Sequence, residues 1–234
     1  MKPRFAPSPT GYLHKGHIWS ALCVAAVAKA KNASIHLRME DHDRLRCSKH
    51  FADMIKKDLE WIGFEWQSES VQSERNAIYE KHFEILQKKD LLYELYKTDK
   101  PKIMFKNSEG DDFAIKDAFG QWTYQFAVVV DDFEEDMDLI VRGEDLEDSE
   151  GRQITLAKIL GRTQMPVFIH HSLIYDSSGK KLSKRDGSDG VIKERESGIS
   201  PKKVLSEICR QMLPGKNIPG EIGWNEVVDL LNFG

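Results

Sequence analysis

Residues Lys2 to Ala6 form a short strand-like segment that runs into a proline- and glycine-rich loop, Pro7-Ser8-Pro9-Thr10-Gly11, and then into an apolar stretch. In that stretch Ile18, Leu22, Ala25 and Ala26 recur at helical spacing, which predicts a helix over about 17–31. Ile35, Leu37 and Met39 then alternate with His36 and Arg38, as on a strand. Ser48 is placed to N-cap a further helix, whose apolar stripe of Phe51, Ile55, Leu59 and Ile62 is stopped by Gly63. A strand–loop–helix–strand–helix order leaves few architectures. It predicts an α/β fold with a parallel sheet and crossover helices.

Downstream, Ile78, Phe83, Ile85 and Leu86 mark a helix over about 73–89. Residues 98–120 contain Pro101, Gly110 and several charges, and read as a small insertion of short strands. Trp122 to Val130 is a strongly β-forming run and is expected to be a strand, as are 139–142 and 167–175, with a helix over 149–160 between them. The polar, glycine-rich stretch 176–189 is expected to be a mobile loop. From about Val191 the chain reads as helical, with Ser200 as N-cap and Pro201 in the first turn.

Composition excludes several classes. No apolar run approaches the ~20 residues of a membrane helix, and 18–30, broken by Ser20 and Lys29, fits a buried core helix. The start, Met1-Lys2-Pro3-Arg4-Phe5, lacks the layout of a secretion signal. Cys23, Cys47 and Cys209 are widely spaced, which favours a reducing, cytoplasmic setting over a disulfide framework. A net charge of −4 argues against a protein that coats nucleic acid, although a local basic groove stays open.

The chemistry concentrates in two places. His14-Lys15-Gly16-His17 stands where a loop enters a helix, so backbone N–H groups and the helix dipole offer a seat for phosphate. Far downstream lies Lys181-Leu182-Ser183-Lys184-Arg185. Taken singly, the first also reads as capping histidines and the second as a solvated basic loop. Taken together they read as two halves of a nucleotide clamp.

These residues carry a resemblance. Arg4 to His14 is similar to the opening of glutamyl-tRNA synthetases, class I enzymes. His14 to His17 resembles their HIGH signature with Lys15 in place of Ile, and Lys181 to Arg185 resembles KMSKS in a KLSKR form. Arg38-Met39-Glu40-Asp41-His42-Asp43 looks like the RxEDTD segment, and the stretches 124–132 and 141–146 look like the YxxAxVVDD and RGxDL blocks. The resemblance implies a Rossmann-like catalytic domain over 1–187, interrupted at about 92–120, and a short helical part over 188–234 without an anticodon-binding domain. With little chain after the KLSKR segment, and with the Tyr124-Gln125 pair, it looks like the glutamyl-Q tRNA(Asp) synthetases. Those paralogues attach glutamate to the queuosine base of tRNA(Asp).

What the resemblance implies for residues follows from charge. His14, His17, Lys181 and Lys184 would be catalytic and, with Gly16, Leu182 and Ser183, would hold ATP with its Mg2+. Arg4 and Arg142 would meet the carboxylates of L-glutamate, Glu40 its ammonium, and Ser8 and Tyr124 would add neutral hydrogen bonds. Other roles stay open: a surface charge for Arg4, a helix cap for Glu40 or Asp41, and an ion pair with Glu144 or Asp145 for Arg142. Asp43 reads equally as a structural cap and as a substrate contact. Lys15 could enter the adenine site or point to solvent.

One departure concerns metal. The short members of the family carry a zinc bound by a CxC pair, a tyrosine and a later cysteine. Here Leu95 and Lys97 stand where the pair should be, and no cysteine lies between Cys47 and Cys209, so no zinc and no protein metal ligands are expected. Lys97, Lys100, Lys102 and Lys106 read as a solvated face or as a phosphate-contacting patch. The expected protein is a monomer with tRNA(Asp) as its partner and no membrane association. Glutamylation of a tRNA acceptor end or of another acceptor, and a non-catalytic synthetase-like binding protein, are the alternatives.

Overall fold

Three parallel strands form the first half of the molecule: β1 (Arg4–Phe5), β2 (His36–Met39) and β3 (Ser68–Val71), hydrogen-bonded in that order. Helix α1 (Lys15–Ala30) connects β1 to β2, and α2 (Lys49–Ile62) connects β2 to β3. The computed structural model describes residues 1–175 and 190–231, so the expected loop 176–189 lies outside the described residues. The ends of α2 follow the local chemistry. The Ser48 hydroxyl accepts from the Phe51 amide at 3.2 Å, and Gly63 closes the helix at φ 91°, a conformation that costs glycine little.

After β3 come α3 (Asn76–Lys88) and an antiparallel sheet of β4 (Leu92–Leu95), β5 (Lys102–Phe105) and β6 (Phe113–Lys116). The chain returns through α4 (Tyr124–Glu134) to β7 (Leu139–Gly143), crosses over α5 (Glu150–Leu160), and pairs β8 (Val167–His171) parallel to β7. A parallel bridge between Pro3 and Leu139 sets β7 beside β1 and joins the two parallel sheets at their edges. Helices α6 (Gly190–Glu196), α7 (Pro201–Met212) and α8 (Trp224–Leu230) follow. Pro201 opens α7, but the Ser200 hydroxyl makes no capping bond.

Two apolar cores hold these layers. The first is centred on α1, buried on nearly every face between the parallel sheet and helices α2, α7 and α8, which contribute Leu59, Ile208 and Val227. The second joins α3, the antiparallel sheet, α4 and α5 through Tyr79, Phe105, Ile115, Phe126 and Leu156. The insertion is therefore anchored by side-chain burial, with the Phe105 and Phe113 rings 5.2 Å apart.

One expected strand is a helix. Trp122 to Val130 enters α4, and Phe126 to Asp132 is buried on every face. A short, uniformly apolar run carries no periodicity to separate a buried strand from a buried helix, and packing between α3 and α5 overrides β-propensity here. The helical turn also sets Asp131, Asp132 and Glu135 together, which an extended chain could not do.

Candidate active site

The loop that leaves β1 and the first turn of α1 line a cleft of about 360 Å3 together with Gly143, Asp145, His171 and Leu173. It lies at the carboxyl ends of the parallel strands, where α/β folds place ligands. Both histidines cap the helix. The Gly16 amide donates to His14 Nδ1 at 3.1 Å, and the His14 amide donates to His17 Nδ1 at 3.0 Å. An Nδ1 that accepts from an amide places the neutral ring's proton on Nε2, so each ring carries a donor of the kind phosphate oxygens accept. The rings lie 3.8 Å apart, and a Cβ on Gly16 would come within 2.9 Å of His14. The close approach that this glycine permits is thus to the His14 ring itself.

Lys15, between them, enters neither of its two expected environments. Its ammonium pairs with Glu207 at 2.7 Å and stands 3.9 Å from Glu194.

Behind the cleft lies a buried network of charge. Arg38 of β2 is wholly buried and bonds Asp132 at 2.7 Å and Glu135 at 2.9 Å, with Glu40 at 3.6 Å and Asp131 at 3.8 Å. Arg4 donates through Nε to the same Asp132 oxygen at 2.9 Å. Arg75 closes the network on Asp131 at 2.6 Å. Arg38 and Arg75 balance Asp131 and Glu135, and Arg4 balances Asp132. Two charges remain.

Glu40 Oε1 is buried with no hydrogen-bond partner among the described residues, and burial lifts its carboxyl above the ordinary range despite Arg38, Arg4 and His42. Arg142, on β7, is the opposite case. It donates to Gln153 at 2.6 Å and to His170 at 3.1 Å and covers the Phe168 ring, yet Nη2 has no hydrogen-bond partner among the described residues, and burial holds the guanidinium below its usual value. Arg142 bonds neither Glu144 nor Asp145. Tyr124, opening α4, is within electrostatic reach of Glu40, Arg4, Arg142 and Asp132, and burial keeps its hydroxyl protonated. Ser8 lies on the cleft wall, its oxygen 3.6 Å from Cys47 Sγ.

The expected residues therefore gather in two neighbouring groups: His14, Gly16, His17 and Ser8 on the cleft, and Arg4, Glu40, Tyr124 and Arg142, of which Glu40 and Arg142 each bury an atom without a hydrogen-bond partner among the described residues. Lys181, Leu182, Ser183 and Lys184 lie outside the described residues. Asp43 binds the Arg46 side chain at 2.5 Å and anchors its own turn, and Asp41 accepts from the Ser73 amide at 2.7 Å. Arg38, Asp132, Gln153 and His170 were not singled out from sequence. The signal for the first two was a charge inside an apolar run, which must be buried with a partner.

A larger depression of about 610 Å3 lies across Cys47, where Lys49 pairs with Asp53 and Lys56 with Glu69. Among the described residues no group of three or more His, Cys, Asp and Glu side chains is placed to hold a metal ion, and no helix is long and apolar enough to cross a membrane.

The fold and cleft define an α/β protein with a phosphate-type helix terminus at its sheet edge. The family model described as "tRNA synthetases class I (E and Q), catalytic domain" matches residues 1–101 and 100–219, two pieces that meet in the turn between β4 and β5. The chain is 32% identical to the glutamate–tRNA ligase of Dichelobacter nodosus over 88% of its own length and 56% of that relative, and 31% identical to glutamate–tRNA ligase 1 of Paracoccus denitrificans over 88% and 60%. The first alignment runs over 261 positions, more than the 234 residues present here, so the relative carries internal residues that this chain lacks. A crystal structure of a glutamate tRNA ligase from Elizabethkingia meningosepticum, in complex with its amino acid, superposes with a TM-score of 0.80 at 25% identity, over 97% of this chain and 64% of that one. The chain belongs to the class I tRNA synthetase family of the E and Q type. It spans little more than half the length of these relatives.

Proposed function

We propose that this chain activates L-glutamate with ATP, forming glutamyl-adenylate, and passes the glutamyl group to tRNA(Asp) at its queuosine base. One observation carries the activation step. A buried carboxylate and a buried guanidinium, each with an atom that has no hydrogen-bond partner among the described residues, stand around Tyr124 beside a phosphate-type cleft. An α-amino acid matches that pair, its ammonium on Glu40 and a carboxylate on Arg142, and Arg4 serves the second carboxylate of glutamate. Either charge alone would be costly to keep buried, and a zwitterion neutralises both.

In the proposed reaction an α-carboxylate oxygen attacks the α-phosphorus of ATP, the P–O bond to the β-phosphate breaks, and pyrophosphate leaves. A hydroxyl of the acceptor then attacks the acyl carbon and releases AMP. The protein's contribution is alignment and charge stabilisation. The Nε2–H groups of His14 and His17 donate to phosphate oxygens, and Lys181 and Lys184 add positive charge. Magnesium, held by the phosphates and water, would neutralise part of the growing charge.

Glutamate-dependent exchange of pyrophosphate into ATP tests the first step. Exchange without tRNA is expected, and its absence both with and without tRNA removes the proposal. The queuosine acceptor rests on the resemblance at Tyr124-Gln125. A second reading, glutamylation of a tRNA acceptor end, is favoured by the relatives, which are glutamate–tRNA ligases. Labelling queuosine-containing tRNA(Asp) but neither unmodified tRNA(Asp) nor tRNA(Glu) supports the first, and labelling of tRNA(Glu) supports the second. We further propose a cytoplasmic monomer without structural zinc, for which elemental analysis should find zinc well below one per chain.

A further inference from the structure

We infer that Lys15 is a positioning residue that ties the capped first turn of α1 to α6 and α7, and so holds His14, Gly16 and His17 in the geometry of the cleft. The inference rests on reading that cleft as the ATP site. Lys15 is the first residue of α1, where a cation opposes the helix dipole and where the first turn carries no acidic residue. The compensation is long-range. Lys15 Nζ meets Glu207 of α7 at 2.7 Å and Glu194 of α6 at 3.9 Å.

Neighbouring contacts show the same attachment. The Val191 amide donates to the Leu13 carbonyl at 2.8 Å, one residue before His14. Gly190, at φ 64°, presses so closely on this turn that a Cβ would lie 2.7 Å from Tyr12 Cβ and 2.8 Å from the Leu13 oxygen. Farther along α6, Arg195 binds the buried Asp58 of α2 at 2.9 Å. Helix α6 is thereby fixed at one end to the residues that precede the histidine pair and at the other to α2. Lys15 adds the link from the histidine turn itself.

A half-exposed ion pair adds little to global stability, because solvent screens it and two long side chains are ordered. Its effect is geometric. His14 and Gly16 flank Lys15, and the two amide-to-imidazole bonds that orient the rings span the same turn. A shift there moves both Nε2 donors relative to the strand ends.

The test is a charge-swap cycle of Lys15→Glu, Glu207→Lys and the double variant, with Lys15→Met as a variant that removes charge without reversing it. Three readouts are taken: KM for ATP and for glutamate in pyrophosphate exchange, thermal midpoint, and amide hydrogen exchange in peptides covering 12–20 and 190–200. Each single variant should raise the ATP KM about 3- to 10-fold, leave the glutamate KM unchanged and speed amide exchange in both peptides, while the double swap recovers most of both effects. Lys15→Met should show the smaller change in the same direction with an unaltered midpoint. Single variants with wild-type ATP KM and amide exchange, or a double variant no better than the singles, overturn the inference. If the wild-type chain shows no pyrophosphate exchange, the proposed function fails, and the amide-exchange cycle still reads the tie directly.

Discussion

Glu40 and Arg142 each bury a polar atom that lacks a hydrogen-bond partner among the described residues, and that incompleteness determines how they respond to substitution. Glu40→Gln keeps the shape and removes the charge. Losing one side of a buried charge pair with the substrate ammonium should cost about 2–4 kcal/mol, roughly a 30- to 1,000-fold rise in the glutamate KM, with the ATP KM nearly unchanged. The substrate-free protein should be as stable as the wild type or more so, because a desolvated carboxylate has been removed. An equal loss for ATP and glutamate in exchange kinetics would refute this role for Glu40. The pH dependence follows from the direction of the shift. Burial raises the Glu40 pKa, whereas the bound ammonium favours the ionised form, so glutamate affinity is present above that raised value and is lost as pH falls through it. The acid limb of kcat/KM for glutamate should therefore lie above the ordinary carboxylate range of about 4.3 and disappear in Glu40→Gln.

At the scale of the element, α4 is where sequence and structure part most, and the reason is informative. Ser48, Gly63 and the stripe of α2 were legible because caps and periodicity act within one helix. So was the histidine pair, whose bonds stay inside one turn. The run through Val128, Val129 and Val130 was not, because its state is decided by what packs around it. For the same reason Asp132 passed unremarked, since its partner Arg4 lies 128 residues away. Arg4, Glu40, Tyr124 and Arg142 could be named from resemblance, but nothing local announced that two of them would bury an atom without a hydrogen-bond partner among the described residues. Asp132 is the side chain on which the helix meets the site. Its Oδ1 accepts from both Arg4 and Arg38, and these guanidinium groups hold its pKa down against the effect of burial. Asp132→Asn would leave two buried cations short of a counterion, at a cost of about 3–5 kcal/mol and a midpoint lowered by roughly 6–20 °C. Glutamate KM should rise as well, because Arg4 loses the group that orients it. Asp138→Ala, which removes an exposed acceptor for the Lys2 amide, should stay within about 0.5 kcal/mol of the wild type in the same melting experiment.

Across the whole molecule the buried network fixes how stability depends on pH. Glu135 is held down to about 2 although burial opposes it, by His36 and by the charges of Arg38 and Arg75, and Asp132 is also lowered. A carboxylate depressed in the folded state contributes stability above its unfolded pKa and loses it as pH falls toward the folded value. From an unfolded value near 4.3, Glu135 alone contributes about 3 kcal/mol at neutrality, lost between roughly pH 4 and pH 2. Glu40, Asp58 and Asp131 act in the opposite sense. Burial raises them, so their ionised forms weaken the fold at neutrality, and protonation relieves that strain as pH falls through their raised values. The two groups of carboxylates therefore act in succession. Urea midpoints should hold or rise slightly as pH is lowered from 7 to about 5, then fall steeply below about 4. Glu135→Gln should be less stable at neutral pH, with Arg38 missing one of its buried partners, and should show a shallower acid limb. A midpoint that declines steadily from pH 7, or an acid limb unchanged in Glu135→Gln, would place the acid-sensitive charge somewhere other than the contact between β2 and α4.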